Sequence, residues 1–318
     1  MKAIIQTNLE DPHSLELGEA DKPQLQAGEV LVKVKAAGVN RADLLQARGH
    51  YPPPPGASEI IGLEVAGEVV DAGDTDVEVG SKVGALLAGG GYAEYVAVPK
   101  GQLLPIPSGY SFAEAASVIE VACTVWSNIA MEAKLDKGQT ILIHGGAGGI
   151  GTFAIQVAKQ LGATVAVTAG TAEKLATCKE LGADILINYN EQDFAEELKN
   201  QCDVILDIMG AKYLKKNLIA LAKGGHMVTI GMQGGTKTEL NMGILLNKRL
   251  TLQGTTLRSR SLEGKAAIVA DTVKNVWPWL EDGSVKHHLH RTFALARASE
   301  AHQALDSGEV TGKLVLEV

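Results

Sequence analysis

A chain of 318 residues, 46% of them apolar and with a formal net charge of -8, has the material for two domains and a large buried core. The acidic balance argues against a general nucleic-acid binder, which needs a basic face. Three scattered cysteines, Cys123, Cys178 and Cys202, argue against a disulfide framework and fit a reducing cytosol.

The opening segment, MKAIIQTNLEDPHSLE, lacks the apolar core and cleavage site of a signal peptide. From Met1 to about residue 110 the pattern is short and strand-like: KAIIQ, EVLVKVKAAGV, EVAGEVVDAG, SKVGALL and YAEYVAV. Glycine, proline and aspartate punctuate these runs, which predicts an antiparallel, barrel-like domain. From about residue 120 strands alternate with helices. Strands are predicted at 141–144, 164–168, 185–187, 204–207, 227–230 and 250–253, with helices at 173–181 and 213–222. That alternation predicts an α/β unit with a doubly wound parallel sheet. A further helix is expected over 262–280, and the ending GKLVLEV reads as a strand returning to the first domain. The charge-free run from Gly138 to Ala158 is too rich in glycine to read as a membrane span.

The stretch TILIHGGAGGIGTFAIQVAKQLG carries the most chemistry. A short apolar strand runs into Gly146, Gly148 and Gly151 at G-x-G-x-x-G spacing, and a helix follows at once. The first glycine is expected to allow the tight turn, the second to let a pyrophosphate approach the backbone, and the third to let helix and strand pack closely. Gly149 and Ile150 complete the loop, whose N–H groups and helix dipole suit a phosphate. Ile150, Phe153, Ala154, Val157, Ala158 and Leu161 are expected on one buried face. These features predict a dinucleotide site.

In such folds an acid at the end of the second strand takes the adenosine ribose hydroxyls. Here Ala169, Gly170 and Thr171 stand there, and no carboxylate appears before Glu173. Losing the acid removes repulsion of a 2′-phosphate, while Lys174 adds attraction and Thr171 a hydrogen bond. The expected cofactor is therefore NADPH, although Lys174 also reads as a solvated helix residue. Tyr189 is expected either to pack beside the adenine end or to lie on the surface.

The blocks AGVNRADLLQARGHYPPPPGAS, GLEVAGEV, HGGAGGIG, VTAGTAEKL, LGAD, INY, LRSR and TGKLVLEV carry a family resemblance across nearly the whole chain. It resembles the medium-chain dehydrogenase/reductase superfamily, specifically the zinc-free NADPH:quinone oxidoreductases, and within them the p53-inducible quinone oxidoreductase group. The resemblance implies a GroES-like β-barrel catalytic domain over residues 1–120, completed by 257–318. It implies a Rossmann domain over 121–256, with the active site in the cleft between the two. Zinc-dependent relatives carry Cys, a His before Glu and a further Cys where this chain has Asn40, Leu63 and Glu120. Leucine cannot ligate and an amide oxygen is a poor zinc ligand, so no metal is expected. The histidines His287, His288 and His290 match no common zinc spacing and read as a solvated turn or strand.

Without a Lewis acid the acceptor must be polarised by hydrogen bonds, or need little help, as quinones do. Tyr51 is the first candidate on the substrate side. It precedes four prolines that stiffen its loop, and its phenol, with a pKa of about 10, stays a donor at neutral pH. Its alternative role is packing against that loop. Asn40 and Asp43 lie in the N-R-A-D segment that the family places near the nicotinamide. Asn40 is expected to hold the ribose or bind the acceptor, and Asp43 to orient its neighbours. Both also read as the cap and first turn of a helix beginning at Arg41. The resemblance further places Thr124 beside the nicotinamide ribose, with a buried helix residue as the alternative. Arg258, after Leu257 in LRSR, is expected either to close over substrate or cofactor or to be a surface arginine, and Gly231 and Leu257 are expected against the cofactor. Lys313 resembles a C-terminal lysine near the cofactor phosphates, with a surface lysine as the alternative. Close relatives carry serine at the position of Gly148, so here the chemistry must depend on Tyr51 and backbone donors.

The expected function is NADPH-dependent reduction of small quinones, by hydride or single electrons. Reduction of an α,β-unsaturated carbonyl and non-catalytic NADPH binding are the alternatives. The expected form is a cytoplasmic homodimer, since the last Rossmann strand resembles one that pairs across a two-fold in this family.

Overall fold

Strand after strand in the second half of the chain is buried along almost its whole length, which only a sheet covered on both faces allows. In the computed structural model, which describes residues 1–318, Thr140–His144 and Thr164–Ala169 bury every residue but the first. Cys202–Asp207 buries all but Asp203. These strands belong to the second of two units, Thr124–Thr256 with Ser284–Lys286. Its sheet runs Ile185–Asn188, Thr164–Ala169, Thr140–His144, Cys202–Asp207, Leu221–Thr229 and Thr251–Gly254, all parallel. The order reverses beside Thr140–His144, the switch point at which open α/β sheets bind ligands.

Two elements depart from the sequence pattern. The helix expected over 213–222 stops at Ala220, and Leu221 already starts a strand. Gly224 takes a φ of 81°, and the pairing with Cys202–Asp207 slips between Cys202 and Val204. Glycine freedom here ends a helix that the apolar period would continue. The helix Gly149–Gln160 is buried all round from Gly151 to Ala158, not on a single face.

The first unit comprises Met1–Cys123, Leu257–Gly283 and His287–Val318. Its seven-stranded sheet is antiparallel except where Leu289–Ala294 pairs with Lys313–Glu317. The long strand Glu29–Val39 organises it. Its first half pairs with Tyr95–Pro99 and its last four residues with Lys313–Glu317, while Glu64–Asp71 runs along its other edge. Two irregularities in that register, at Leu31/Val32 and Val34/Ala36, let one strand bend through a barrel-like sheet.

Helix Arg41–Ala47 leaves the end of this strand at Asn40. Asp43 Oδ2 accepts from the Asn40 backbone N–H at 2.7 Å and from the Tyr92 hydroxyl at 3.1 Å. Tyr92 is in turn 3.2 Å from His302 Nε2. All three side chains are fully buried. Burial pushes the Asp43 carboxyl up to about 7, against the pull of the Asn40 N–H and the Lys313 charge. It pulls His302 down to about 3, so the ring is neutral and donates to Tyr92.

Asp43 therefore makes stability depend on pH. The unfolded chain releases this proton near pH 4, whereas the native state keeps it to about 7. Between those values the native state holds more protons, so Asp43 makes stability fall as pH rises, by up to about 1.4 kcal/mol per pH unit. Above pH 7 the contribution is flat. Urea unfolding of Asp43→Asn from pH 4 to 8 is expected to lose this component of the slope. Parallel wild-type and variant curves would show that Asp43 is already ionised at the low end.

Candidate functional site

The glycine turn is built from four glycines with different tasks. Gly145, one residue ahead of the motif, takes the left-handed φ of 70°. The tight turn therefore rests on Gly145, and this corrects the expectation for Gly146. Gly146 is needed for packing instead, because a Cβ there would lie 2.8 Å from Val167 Cβ and 3.0 Å from Cys178 Sγ. A Cβ on Gly151 would lie 2.3 Å from the Gly145 carbonyl, so only glycine lets the helix approach the turn. Gly148 meets nothing closer than 3.4 Å and leaves an open backbone at the helix N-cap. No side chain caps this helix. The N–H groups of Gly149, Ile150 and Gly151 thus face the loop as a phosphate would require.

A buried relay that sequence reasoning missed sits beneath this turn. His144 ends the strand that feeds it, and burial pulls its ring down to about 4, so it is neutral. Its Nε2 lies 2.8 Å from Asn217 Oδ1, which only accepts, so Nε2 carries the hydrogen. Nδ1 then accepts from the Thr168 hydroxyl at 3.0 Å, and that oxygen accepts from the Gly145 N–H at 3.4 Å. Asp207, at the end of the neighbouring strand, accepts from the Met209 and Gly210 N–H groups and from the Thr229 hydroxyl. Its one sequence signal is a polar ring at the last position of an apolar strand.

At the end of the second strand, Gly170 and Tyr189 belong together. A Cβ on Gly170 would lie 2.5 Å from the Tyr189 hydroxyl, so the ring covers this glycine while 47% of the residue stays exposed. Thr171 caps the next helix, its oxygen accepting from the Lys174 N–H at 3.3 Å. Lys174, in that first turn, is half-buried. Thr124 is buried, and its carbonyl accepts from Ser127 Oγ and Asn128 Nδ2 where the helix Ile119–Val125 passes into a π-helical segment. Gly231 packs 3.0 Å, measured from a Cβ position, from the Ile208 carbonyl.

In the first unit Tyr51 is held by Arg258. The guanidinium is 4% exposed and donates to the Tyr51 carbonyl at 2.9 Å, to Ala88 O at 2.7 Å and to Gln46 Oε1 at 2.7 Å. It lies 5.2 Å from the centre of the Tyr51 ring. Three of its five N–H donors are thus used on protein oxygens, and it fixes the loop that carries Tyr51. Leu257 beside it is half-buried. Burial raises the Tyr51 phenol above its ordinary value, with Arg258 pulling the other way, so it stays a donor at neutral pH.

Asn40, Glu64 and Lys313 form a second buried group. Lys313 Nζ lies 2.6 Å from Glu64 Oε1, 2.6 Å from Asn40 Oδ1 and 3.2 Å from Val39 O. Asn40 Nδ2 donates to Glu64 Oε1 at 2.9 Å. Asn40 is the N-cap residue of helix Arg41–Ala47, in a capping box with Asp43, and the same side chain also serves Glu64 and Lys313. Lys313 is not available to cofactor phosphates as expected, since all three of its hydrogens are used inside the first unit. Leu63 is buried beside Glu64 and brings no donor atom. No group of three His, Cys, Asp or Glu side chains is arranged to hold a metal ion. His287 instead pairs with Glu114 at 3.1 Å.

Residues 26–108 match the alcohol dehydrogenase GroES-like domain family, and residues 149–279 match the zinc-binding dehydrogenase family. The chain is 32% identical to a quinone oxidoreductase of Pseudomonas aeruginosa, over 96% of each. It is 29% identical to a quinone oxidoreductase-like protein 2 homolog of Nematostella vectensis, over 92% of this chain and 82% of that one. It also matches, over its whole length at 27% identity, a segment making up 15% of a phenolphthiocerol/phthiocerol polyketide synthase subunit of Mycobacterium tuberculosis. Among solved structures it is similar to the Escherichia coli quinone oxidoreductase complexed with NADPH, with a TM-score of 0.90 and 27% identity over the full length of both chains. The chain belongs to the medium-chain dehydrogenase/reductase superfamily, among its quinone oxidoreductase-like members.

Proposed function

We propose that this chain is an NADPH-dependent quinone oxidoreductase that works without zinc, as a homodimer in the cytoplasm. One observation carries the chemical reading: a phenol donor, Tyr51, is clamped by Arg258 in a unit whose Asn40 and Glu64 oxygens already serve Lys313. With Leu63 where zinc-dependent relatives carry histidine, these residues make a poor cradle for a cation and a good source of hydrogen bonds. The P. aeruginosa and E. coli quinone oxidoreductases support the same reading by likeness.

The residues of the second unit fit a dinucleotide. The uncapped N-terminus at Gly149, Ile150 and Gly151 suits the pyrophosphate, with Gly148 keeping the approach open. The acid-free strand end, with Gly170, Thr171 and Lys174, suits a 2′-phosphate, and Tyr189 suits the adenine side. NADPH, when bound, supplies the hydride. Tyr51 and Asn40 supply the donors that stabilise negative charge as it develops on the acceptor oxygen.

Dimer formation is supported by the second unit's edge strand Thr251–Gly254 and by nearby exposed apolar residues, Leu246 at 76% and Met242 at 62%. A reducing compartment is supported by three free, buried cysteines.

Three measurements test this reading. Lys174→Glu is expected to weaken NADPH binding by about ten- to a hundredfold while changing NADH binding little; equal losses would remove the 2′-phosphate assignment. Tyr51→Phe is expected to lower kcat for 1,4-benzoquinone by about a hundredfold at unchanged NADPH affinity. Full turnover in that variant would reduce Tyr51 to packing, and faster turnover of an alkenal than of benzoquinone would move the substrate class. Light scattering is expected to give twice the chain mass, and a single chain mass would overturn the dimer.

A further inference from the structure

The Lys313 ammonium has three hydrogens and three acceptors: the Val39 carbonyl, Asn40 Oδ1 and Glu64 Oε1. Glu64 Oε1 also takes one hydrogen of the Asn40 amide, and its Oε2 takes the Glu120 N–H at 2.7 Å. Glu64 is 0% and Lys313 5% exposed. Gly38 makes this closeness possible, because a Cβ there would sit 2.2 Å from Glu64 Oε1.

This arrangement reads the two ends of the Asn40 amide differently. Its oxygen faces a group that only donates, and its nitrogen faces a group that only accepts. Turning the amide by 180° would set its N–H groups against the ammonium and its oxygen against the carboxylate. Charge-assisted bonds are the stronger kind, so both partners oppose the turn. A buried ion pair adds little net stability, since desolvation offsets the attraction; orientation is what this one delivers. Of the two Asn40 amide hydrogens, one goes to Glu64 Oε1 and the other remains uncommitted. Glu120 bonds to Glu64 through its backbone and acts on the Tyr51 phenol through its charge.

We propose that Lys313 is a positioning residue: with Glu64 it locks the Asn40 amide in one orientation, so that the second Asn40 N–H is a fixed donor to the carbonyl oxygen of the quinone acceptor. The proposal rests on the quinone reductase reading. Lys313 touches neither acceptor nor cofactor, and it acts through Asn40.

The test uses Lys313→Met combined with Glu64→Gln, which leaves no unpaired buried charge. Glutamine at 64 bonds the Asn40 amide in either orientation, so the lock is lost while the volume is kept. The double variant is expected to melt near wild type and to bind NADPH within twofold. Its kcat for 1,4-benzoquinone is expected to fall at least tenfold. In protein labelled with ¹⁵N-asparagine, the Asn40 side-chain amide is assigned by its disappearance in Asn40→Asp. Wild type is expected to show one slowly and one rapidly exchanging amide hydrogen, and the double variant two rapidly exchanging ones. Unchanged kcat with an unlocked amide would overturn the proposal, as would an amide still locked without Lys313. A kcat loss that merely tracks a loss of stability would also overturn it. If wild type reduces no quinone, the functional reading fails by itself, and the exchange measurement still decides whether Lys313 holds Asn40.

Discussion

The Glu64 carboxylate has no contact with water, and much of the first unit is arranged around satisfying it. An ionised carboxylate in such a place must be paired and fully hydrogen-bonded, or it is too costly to keep. Each requirement is met by a different segment. The strand Glu29–Val39 provides Gly38, whose missing side chain leaves the space, and the following Asn40 provides a donor. The start of helix Ile119–Val125 provides the Glu120 N–H, and the C-terminal strand provides Lys313. Pairing of Leu314 with Val39 places Lys313 beside Asn40. A one-residue slip of that register would turn Lys313 to the opposite face of the sheet. The charge pair and the strand pairing therefore hold each other, and the orientation of Asn40 follows from both.

The second unit solves a similar problem without a buried ion pair. The ends of its strands carry polar groups that would otherwise lie unpaired beneath the glycine turn. A neutral His144 bridges Thr168 to Asn217, with donor and acceptor roles fixed at every step. The Thr168 carbonyl takes the Gly146 N–H, and its hydroxyl takes that of Gly145. The turn is thus held by the neighbouring strand as well as by its own glycines. Asp207 performs the matching task for the loop after the fourth strand, binding two of its N–H groups. A site meant to receive a rigid, charged ligand gains from loops shaped before it arrives.

Much of this architecture is legible in the sequence, because strand–helix alternation and the spacing of glycines are local signals. Five of the six second-unit strands lie within two residues of their expected bounds; the exception begins early, at Leu221. What is not legible depends on geometry or distance. Gly145 and Gly146 are adjacent and chemically identical, so only the backbone reveals which one takes a positive φ. Lys313 lies 249 residues from Glu64 and Arg258 lies 207 from Tyr51, and no local pattern links such partners. Both basic residues stand in family motifs that imply a ligand nearby; Lys313 uses all three of its hydrogens on the protein itself, and Arg258 three of its five. His144 went unread since a histidine ending an apolar strand looks the same whether it is a relay or a packed ring.

Arg258 shows why the identity of such a residue matters even when it touches no ligand. Its acceptors come from three segments: the helix carrying Gln46, the proline-flanked loop at Tyr51, and the backbone at Ala88. A planar guanidinium with five donors in a fixed fork reaches all three at once, whereas a lysine ammonium at the same place is a point charge on a flexible stem. The same plane lies near the Tyr51 ring, where a cation is attracted by the aromatic face. Three influences then act on the phenol: burial and the Glu120 charge hold it protonated, and the guanidinium favours release. Burial is the largest, so Tyr51 presents a hydroxyl hydrogen throughout the neutral range. The clamp thereby governs both the position of the donor and the strength with which it can share its proton.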